Sequence, residues 1–460
     1  MNMINNHTQE FGSSRPYFAT AAILIGVGMS ALDGSIVNIA LPSIVNVLDI
    51  EVSSSIWIVN SYQIASAATM LICASLSSRV GEKLFFKLGM LLFTLSSLGC
   101  GLSPNFSILV VMRMMQGISY AMMISVGLGL YRTILPANML GTILGLNAMV
   151  FAVGTAIGPA LGGFIISYLT WPWLFYINIP LGILAITLSF VFLGKDSEKG
   201  KGFDWLGAIS SATALGLTVI AVDQIGHWDN KTLISCIFVA IILFIIFIKA
   251  QHHARYPLLP LDIFHSRIYS FAVISSILIF IAQGIALVSL PFILQHTYGY
   301  SVLESAFMFT PWPVAVACCA PLAGILSNRF NPTKISSIGA VLFCLGLSSL
   351  AFLSETVSTI NILWRVAVCG VGYGLFIPPN NREMFTNVKH NRTVIASGML
   401  STARTSGQSI GAAIVMVIII SLEGDKGIDF KRFVFYAFSC ASFIALFSFI
   451  ASISRIHKIK

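Results

Sequence analysis

The sequence predicts an all-helical protein built into a membrane, with about fourteen spanning helices. Three observations predict it. Of 460 residues, 57% are hydrophobic and 9% charged, against about 25% charged in ordinary soluble chains. The apolar residues gather into segments of roughly 18–28 residues, each long enough for a hydrocarbon core about 30 Å thick. The Lys and Arg collect in alternate loops, as expected when one side of the membrane retains them.

The first segment runs from about Tyr17 to Asn46 and carries Leu32-Asp33-Gly34-Ser35-Ile36-Val37-Asn38-Ile39-Ala40-Leu41-Pro42. At 1.5 Å per residue, Asp33 lies roughly 24 Å along it, well inside the core. A carboxylate there costs on the order of 3 kcal/mol on insertion scales. Such a group faces the bundle interior and carries a function, or it is a protonated packing acid. Further segments centre near Ala65, Phe93, Ser119, Val153 and Ile183, then Leu215 and Val239. Six more centre near Phe280, Ala315, Cys344, Val371, Gln408 and Ala441. The polar stretch Met1 to Pro16 leads into a segment too long for a signal peptide, so the chain is expected to stay in the membrane.

The basic residues test this count. With the N-terminus in the cytoplasm, nineteen of the 26 Lys and Arg fall inside, four outside and three within the membrane. An even helix number follows, with both termini cytoplasmic. The spread of basic residues also accounts for the net charge of +9 without a nucleic-acid partner. Gly145, Gly154 and Gly158 recur as Gly398, Gly407 and Gly411 at an offset of 253. Arg113 recurs as Arg365, and Leu76-Ser77-Ser78-Arg79 as Leu326-Ser327-Asn328-Arg329, at nearly the same offset. The expected plan is a six-helix half over residues 1–200, two additional helices over 201–255, and a second six-helix half over 256–460. Parallel repeats of this kind build transporters.

Within the spans, Arg113 must pair or reach water. Facing Asp33, it would favour release of the proton. Alternatively it only satisfies backbone carbonyls. Gly154, Gly158 and Gly162 share one helical face, where small residues let another backbone approach, and Pro159 can bend that helix. Asn38, Tyr62, Gln63, Gln283, Asn380, Trp312 and Arg404 are candidates to line a cavity, the amides equally able to bond neighbouring helices. An aromatic pocket with one acid suits a lipophilic cation. No His has a metal-ligating partner one turn away, no phosphate loop occurs, and no nucleophile–base pair stands out. An enzyme, an ATP-driven pump and a resident cofactor are therefore not expected.

Together, these motifs resemble the fourteen-helix drug:proton antiporters of the major facilitator superfamily, over nearly the whole chain. Leu32-Asp33 through Pro42 resembles the first-helix motif, and Arg113-Met114-Met115-Gln116-Gly117 the fourth-helix motif. Gly154-Thr155-Ala156-Ile157-Gly158-Pro159-Ala160-Leu161-Gly162-Gly163 resembles the fifth-helix motif associated with antiporters. Trp171-Pro172-Trp173 with Asn178, Asp204-Trp205-Leu206-Gly207, Pro378-Pro379-Asn380-Asn381, and Arg404 with Gly407 resemble later signatures. Two departures stand out. Ser78 replaces the usual Asp before Arg79, leaving Glu82 as the nearby acid, and Pro172 replaces an Arg.

The resemblance implies the major facilitator fold and a proton-coupled multidrug efflux antiporter of the cytoplasmic membrane, with protons as the coupling ion and no cofactor. Its substrate would be small, amphipathic, drug-like and cationic. Asp33 and Arg113 would couple proton and substrate. Gly154, Gly158, Pro159, Gly162, Gly163 and Arg79 would serve gating and helix packing, the glycine stripe forming a sliding contact between halves. Export of a metabolite, lipid or siderophore on the same fold, or a transport-inactive sensor, are the alternatives.

Overall fold

The computed structural model describes residues 15–50, 52–196, 202–224, 228–254, 257–296, 298–300, 302–353, 358–389, 392–424, 427–428 and 430–455. Fourteen long helices run through them. They are α1 (Arg15–Leu48), α2 (Val52–Val80), α3 (Glu82–Gly101), α4 (Phe106–Ile134), α5 (Leu140–Tyr168), α6 (Asn178–Phe192), α7 (Trp205–Asp223), α8 (Asn230–His253), α9 (Arg267–His296), α10 (Pro311–Arg329), α11 (Pro332–Ala351), α12 (Thr359–Thr386), α13 (Thr393–Leu422) and α14 (Phe430–Ile453). Short helical segments precede α6 and α10, and a two-stranded hairpin, Glu423–Gly424 with Gly427–Ile428, joins α13 to α14.

All but α7 are long and apolar enough to cross a membrane, α6 together with the short segment from Trp173 that precedes it. On α8, Ile234, Phe238, Ile241 and Phe244 stand exposed. Water would penalise that surface, and lipid would not. Polar residues start the helices instead. Asn105 accepts a hydrogen bond from the Ile108 amide to cap α4, and Asn331 does the same at α11, where Pro332 opens the first turn.

Packing follows the same plan twice. Helix α4 lies against α2 and α3, and α12 against α10 and α11. Helix α5 packs on α1, and α13 on α9. Across the molecule, α5 meets α10 and α13 meets α2. The pair α7–α8 is seated through α7, against α2 and α13.

The glycines decide these crossings. A Cβ on Gly154 would lie 2.8 Å from Ala31 Cβ, one on Gly162 would lie 2.9 Å from Ile36 Cγ1, and one on Gly158 would overlap Ser35 Oγ. All three partners belong to α1. This corrects the expected sliding contact between halves: the stripe holds α5 to α1 within the first six helices. A Cβ on Gly163 would meet nothing within 4 Å, so no close helix approach depends on that glycine. The crossing to α10 uses Gly141 and Gly145, where a Cβ would overlap the carbonyls of Gly324 and Ala320. Gly145 and Gly154 differ by nine residues, which at about 100° each puts them on opposite faces of α5. On α13, Gly398 faces Ala74 of α2 while Gly407 faces Phe280 of α9, the same division of faces.

Candidate functional site

Asp33 is 1% exposed and anchors a polar cluster inside α1, α2, α3, α4 and α6. Arg113 Nη1 donates to Asp33 Oδ2 at 2.6 Å and lies equally close to Gln116 Oε1. Its Nε donates to the Ile58 carbonyl at 2.9 Å. Gln116 Nε2 donates to Asp33 Oδ1 and to Ser97 Oγ, both at 2.8 Å, and Asn178 Nδ2 donates to Asp33 Oδ1 at 3.2 Å. The sequence arranges this locally. Arg113 and Gln116 stand three apart on α4, hence on one face, while the intervening Met114 and Met115 are exposed. The guanidinium lies 4.5 Å from the Tyr62 ring centroid and 5.8 Å from that of Phe175. A carboxylate with three donors and a guanidinium with ring faces on it form a neutral, closed unit.

Beside this unit lies a cavity of about 600 Å³ between the first and last six helices, a volume suited to a drug-sized molecule. Aromatic side chains Tyr62, Tyr120, Phe151, Phe309, Trp312 and Tyr373 form much of its wall. Amides interrupt it, among them Gln63, Gln283 and Gln408, the last donating to Gln283 Oε1 at 3.1 Å. Arg404 is the one charged side chain among the described lining residues. Asp33 is not in the wall. Tyr62 lies between, its ring on Arg113 on one side and part of the cavity lining on the other.

The sequence profile of the Major Facilitator Superfamily matches residues 23–412. The chain belongs to that superfamily. Among curated relatives, it is 39% identical to an uncharacterized transporter, YebQ, of Escherichia coli, over 89% of this chain and 90% of that one. It is 30% identical to the riboflavin transporter RibZ of Clostridioides difficile, over 85% of each. It is also 30% identical to the multidrug resistance protein Stp of Mycobacterium tuberculosis, over 85% of this chain and 73% of that one. The fold is similar to that of the human organic anion transporter MFSD10, with a TM-score of 0.69 over 95% of this chain and 99% of that one, at 11% identity. This is a transport protein of the membrane, not an enzyme.

On this superfamily frame, Tyr62, Gln63, Gln283, Trp312 and Arg404 reach the cavity as expected from sequence. Asn380 does not. It is fully buried and donates to the Ala272 carbonyl and Ser276 Oγ, while the next residue, Asn381, lines the cavity. One residue is about 100° of helix rotation, enough to turn a side chain from cavity to neighbour. The side chains of Asn38 and Pro159 lie outside the described residues. Arg79 stands exposed at the end of α2 and meets no acid among the described residues. The α2–α3 turn is held instead by Asp196, whose carboxylate accepts from the Lys83 amide at 2.9 Å and the Leu84 amide at 3.1 Å.

Two further residues depart from the sequence reading. Asp33 is not alone among deeply buried acids, because Glu383 on α12 is 6% exposed and ion-paired with Arg455, itself 3% exposed. Thr333 donates to Glu383, and Ser452 Oγ lies 2.6 Å from Arg455 Nη2. Hydropathy places both charges near helix ends. Only the approach of α11, α12 and α14 buries them. Gln116 and Asn178 stood inside recognised motifs, but a lone amide carries no signal of the carboxylate it serves.

Proposed function

We propose that this protein exports small amphipathic, drug-like compounds across the cytoplasmic membrane in exchange for protons, with both termini in the cytoplasm. The observation that carries the reading is the pairing of one sequestered carboxylate with an adjacent cavity. Asp33 is joined to Arg113, Gln116 and Asn178, and Tyr62, whose ring lies on Arg113, also lines 600 Å³ of substrate-sized space beside that cluster.

The chemistry follows from charge balance. Protonating Asp33 removes the partner of a guanidinium 1% exposed, and leaving a buried charge unpaired costs about 3–5 kcal/mol. Proton binding therefore cannot be silent. Arg113 must move toward water or another acceptor, and its neighbours move with it. Helices α1, α4 and α6 carry the cluster, and α1 is locked to α5 by the glycine stripe. A rearrangement at Asp33 is thereby passed to the helix that contacts the other half. This is the reciprocal coupling an exchanger needs.

The efflux direction is supported by the relative whose name describes multidrug resistance. The riboflavin-transporter relative supports a second reading, transport of one planar metabolite through the same cavity. The cationic part of the sequence expectation depended on an acid in the pocket wall, and Asp33 is walled off. Proteoliposomes with an imposed proton gradient, challenged with a mixed panel of aromatic dyes and metabolites, test the proposal. Wild type should accumulate at least one compound against its gradient. Asp33→Asn should bind that compound and fail to accumulate it. Accumulation by Asp33→Asn equal to wild type would remove Asp33 from coupling.

A further inference from the structure

The cavity wall holds a cation, Arg404, and no acid among its described lining residues. Arg404 makes no hydrogen bond or ion pair among the described residues, and its Nε is buried without a partner. Its guanidinium sits between two ring faces, 5.1 Å from the Phe151 centroid and 5.4 Å from that of Phe280. Ring faces stabilise a guanidinium but accept none of its five in-plane N–H groups as a carboxylate would. No Asp or Glu stands among the described lining residues to receive them. The Asp33 carboxylate is already paired with Arg113, and Asp33 is not among the lining residues. Arg404 is therefore the one formal charge that the described wall presents to the cavity.

A guanidinium kept at mid-membrane without a protein anion is costly, and the cost is relieved by a ligand that supplies one. The remaining wall sets the rest of the ligand. Tyr62, Tyr120, Phe151, Phe309, Trp312 and Tyr373 offer flat apolar faces, two of them stacked, with Phe309 and Trp312 ring centroids 5.7 Å apart. Gln283 and Gln408 add amide donors and acceptors on the same side as Arg404.

We infer that the substrate is a planar aromatic compound bearing an acidic group, a carboxylate, phenolate or enolate, and that Arg404 binds that group. This rests on the exporter reading above and reverses the charge expected from sequence. Arg404 thereby becomes a specificity residue, distinct from the coupling pair Asp33–Arg113. A cation would meet Arg404 with no acid to offset it. A neutral planar compound would gain the stacking and lose the charged contact.

Two xanthene dyes of opposite charge test this on the purified full-length protein. Fluorescein is anionic and rhodamine 6G cationic on the same ring system. In fluorescence-anisotropy titrations, wild type should bind fluorescein about tenfold or more tighter than rhodamine 6G. A charge-assisted contact of this kind corresponds to roughly ten- to a hundredfold in affinity. Arg404→Gln should lose that factor for fluorescein and none for rhodamine 6G, while Arg404→Lys keeps part of it. Rhodamine 6G bound as tightly as fluorescein, no fluorescein binding by wild type, or Arg404→Gln matching wild type would each overturn the inference. The comparison of dyes on wild type does not depend on the variant folding. Proton-driven movement of the same dyes in proteoliposomes separates the two readings. Rhodamine 6G driven uphill without a fluorescein preference keeps the exporter and removes the anionic substrate. Fluorescein bound through Arg404 but never driven by protons does the reverse.

Discussion

At the residue scale, the position of Tyr62 matters as much as that of Asp33. Asp33 and Arg113 satisfy one another, and Gln116 and Asn178 complete the carboxylate's acceptors. The Tyr62 ring touches both that closed unit and the cavity, its centroid 4.5 Å from the guanidinium and 5.6 Å from that of Tyr120. Its hydroxyl is buried without a partner, so the ring is held by packing and by Arg113 rather than by a hydrogen bond. Tyr62→Phe should leave this screen intact. Tyr62→Ala should open Asp33 to the cavity. Labelling by a hydrophobic carbodiimide, read by mass spectrometry at Asp33, should be faster in Tyr62→Ala than in wild type and unchanged in Tyr62→Phe. Equal labelling of all three would mean that the proton path avoids Tyr62.

At the scale of the helix, α5 uses two faces for two tasks. One face carries Gly154, Gly158 and Gly162 against α1, and the other carries Gly141 and Gly145 against α10. Close approach of backbones needs the absence of Cβ, and the two faces should fail differently. Gly158→Leu should block transport by prising α1, with its Asp33, away from α5. Gly163→Leu, whose Cβ would meet nothing within 4 Å, should transport normally, although it sits one residue from the stripe. Membrane expression and dye efflux from cells measure both. Normal transport by Gly158→Leu would show that α1 and α5 do not work as a unit. The α5 motif was legible from sequence as a small-residue stripe. Its partner was not, because a stripe states how close a neighbour can come and not which neighbour it is.

At the scale of the whole molecule, most of the hydrogen bonds between the first and last six helices, among the described residues, gather at the end where α4 stops and α5 starts. Arg132, at the end of α4, donates to the Phe385 and Val388 carbonyls and to Thr393 Oγ1. Asn328 Nδ2 donates to Thr142 Oγ1 at 2.9 Å, and its Oδ1 accepts from the Gly141 amide at 3.2 Å. Alternating access requires these contacts to break in each cycle. Cysteines replacing Thr142 and Asn328, in a background lacking the eight native cysteines, should crosslink on oxidation and halt transport. Reduction should restore it. Full turnover by the crosslinked protein would show that this end stays closed throughout.

The sequence by itself determined the class of protein, the long helices and the place of Asp33 within the first of them. Each follows from a one-dimensional quantity, since the length and polarity of a segment decide whether lipid accepts it. The glycine and arginine offsets near 253 likewise anticipated the paired crossings of α5 and α13. Tertiary structure alone decided which side of Tyr62 holds the acid, which face of α5 meets α10, and whether Asn380 or Asn381 sees the cavity. It also decided that Glu383 and Arg455 are buried together and that Arg404 is left without an anion. These depend on rotation about a helix axis, where one residue changes the direction by about 100°. They depend equally on partners tens to hundreds of residues away, such as Asp33 with Arg113 and Asn178, which no local pattern specifies.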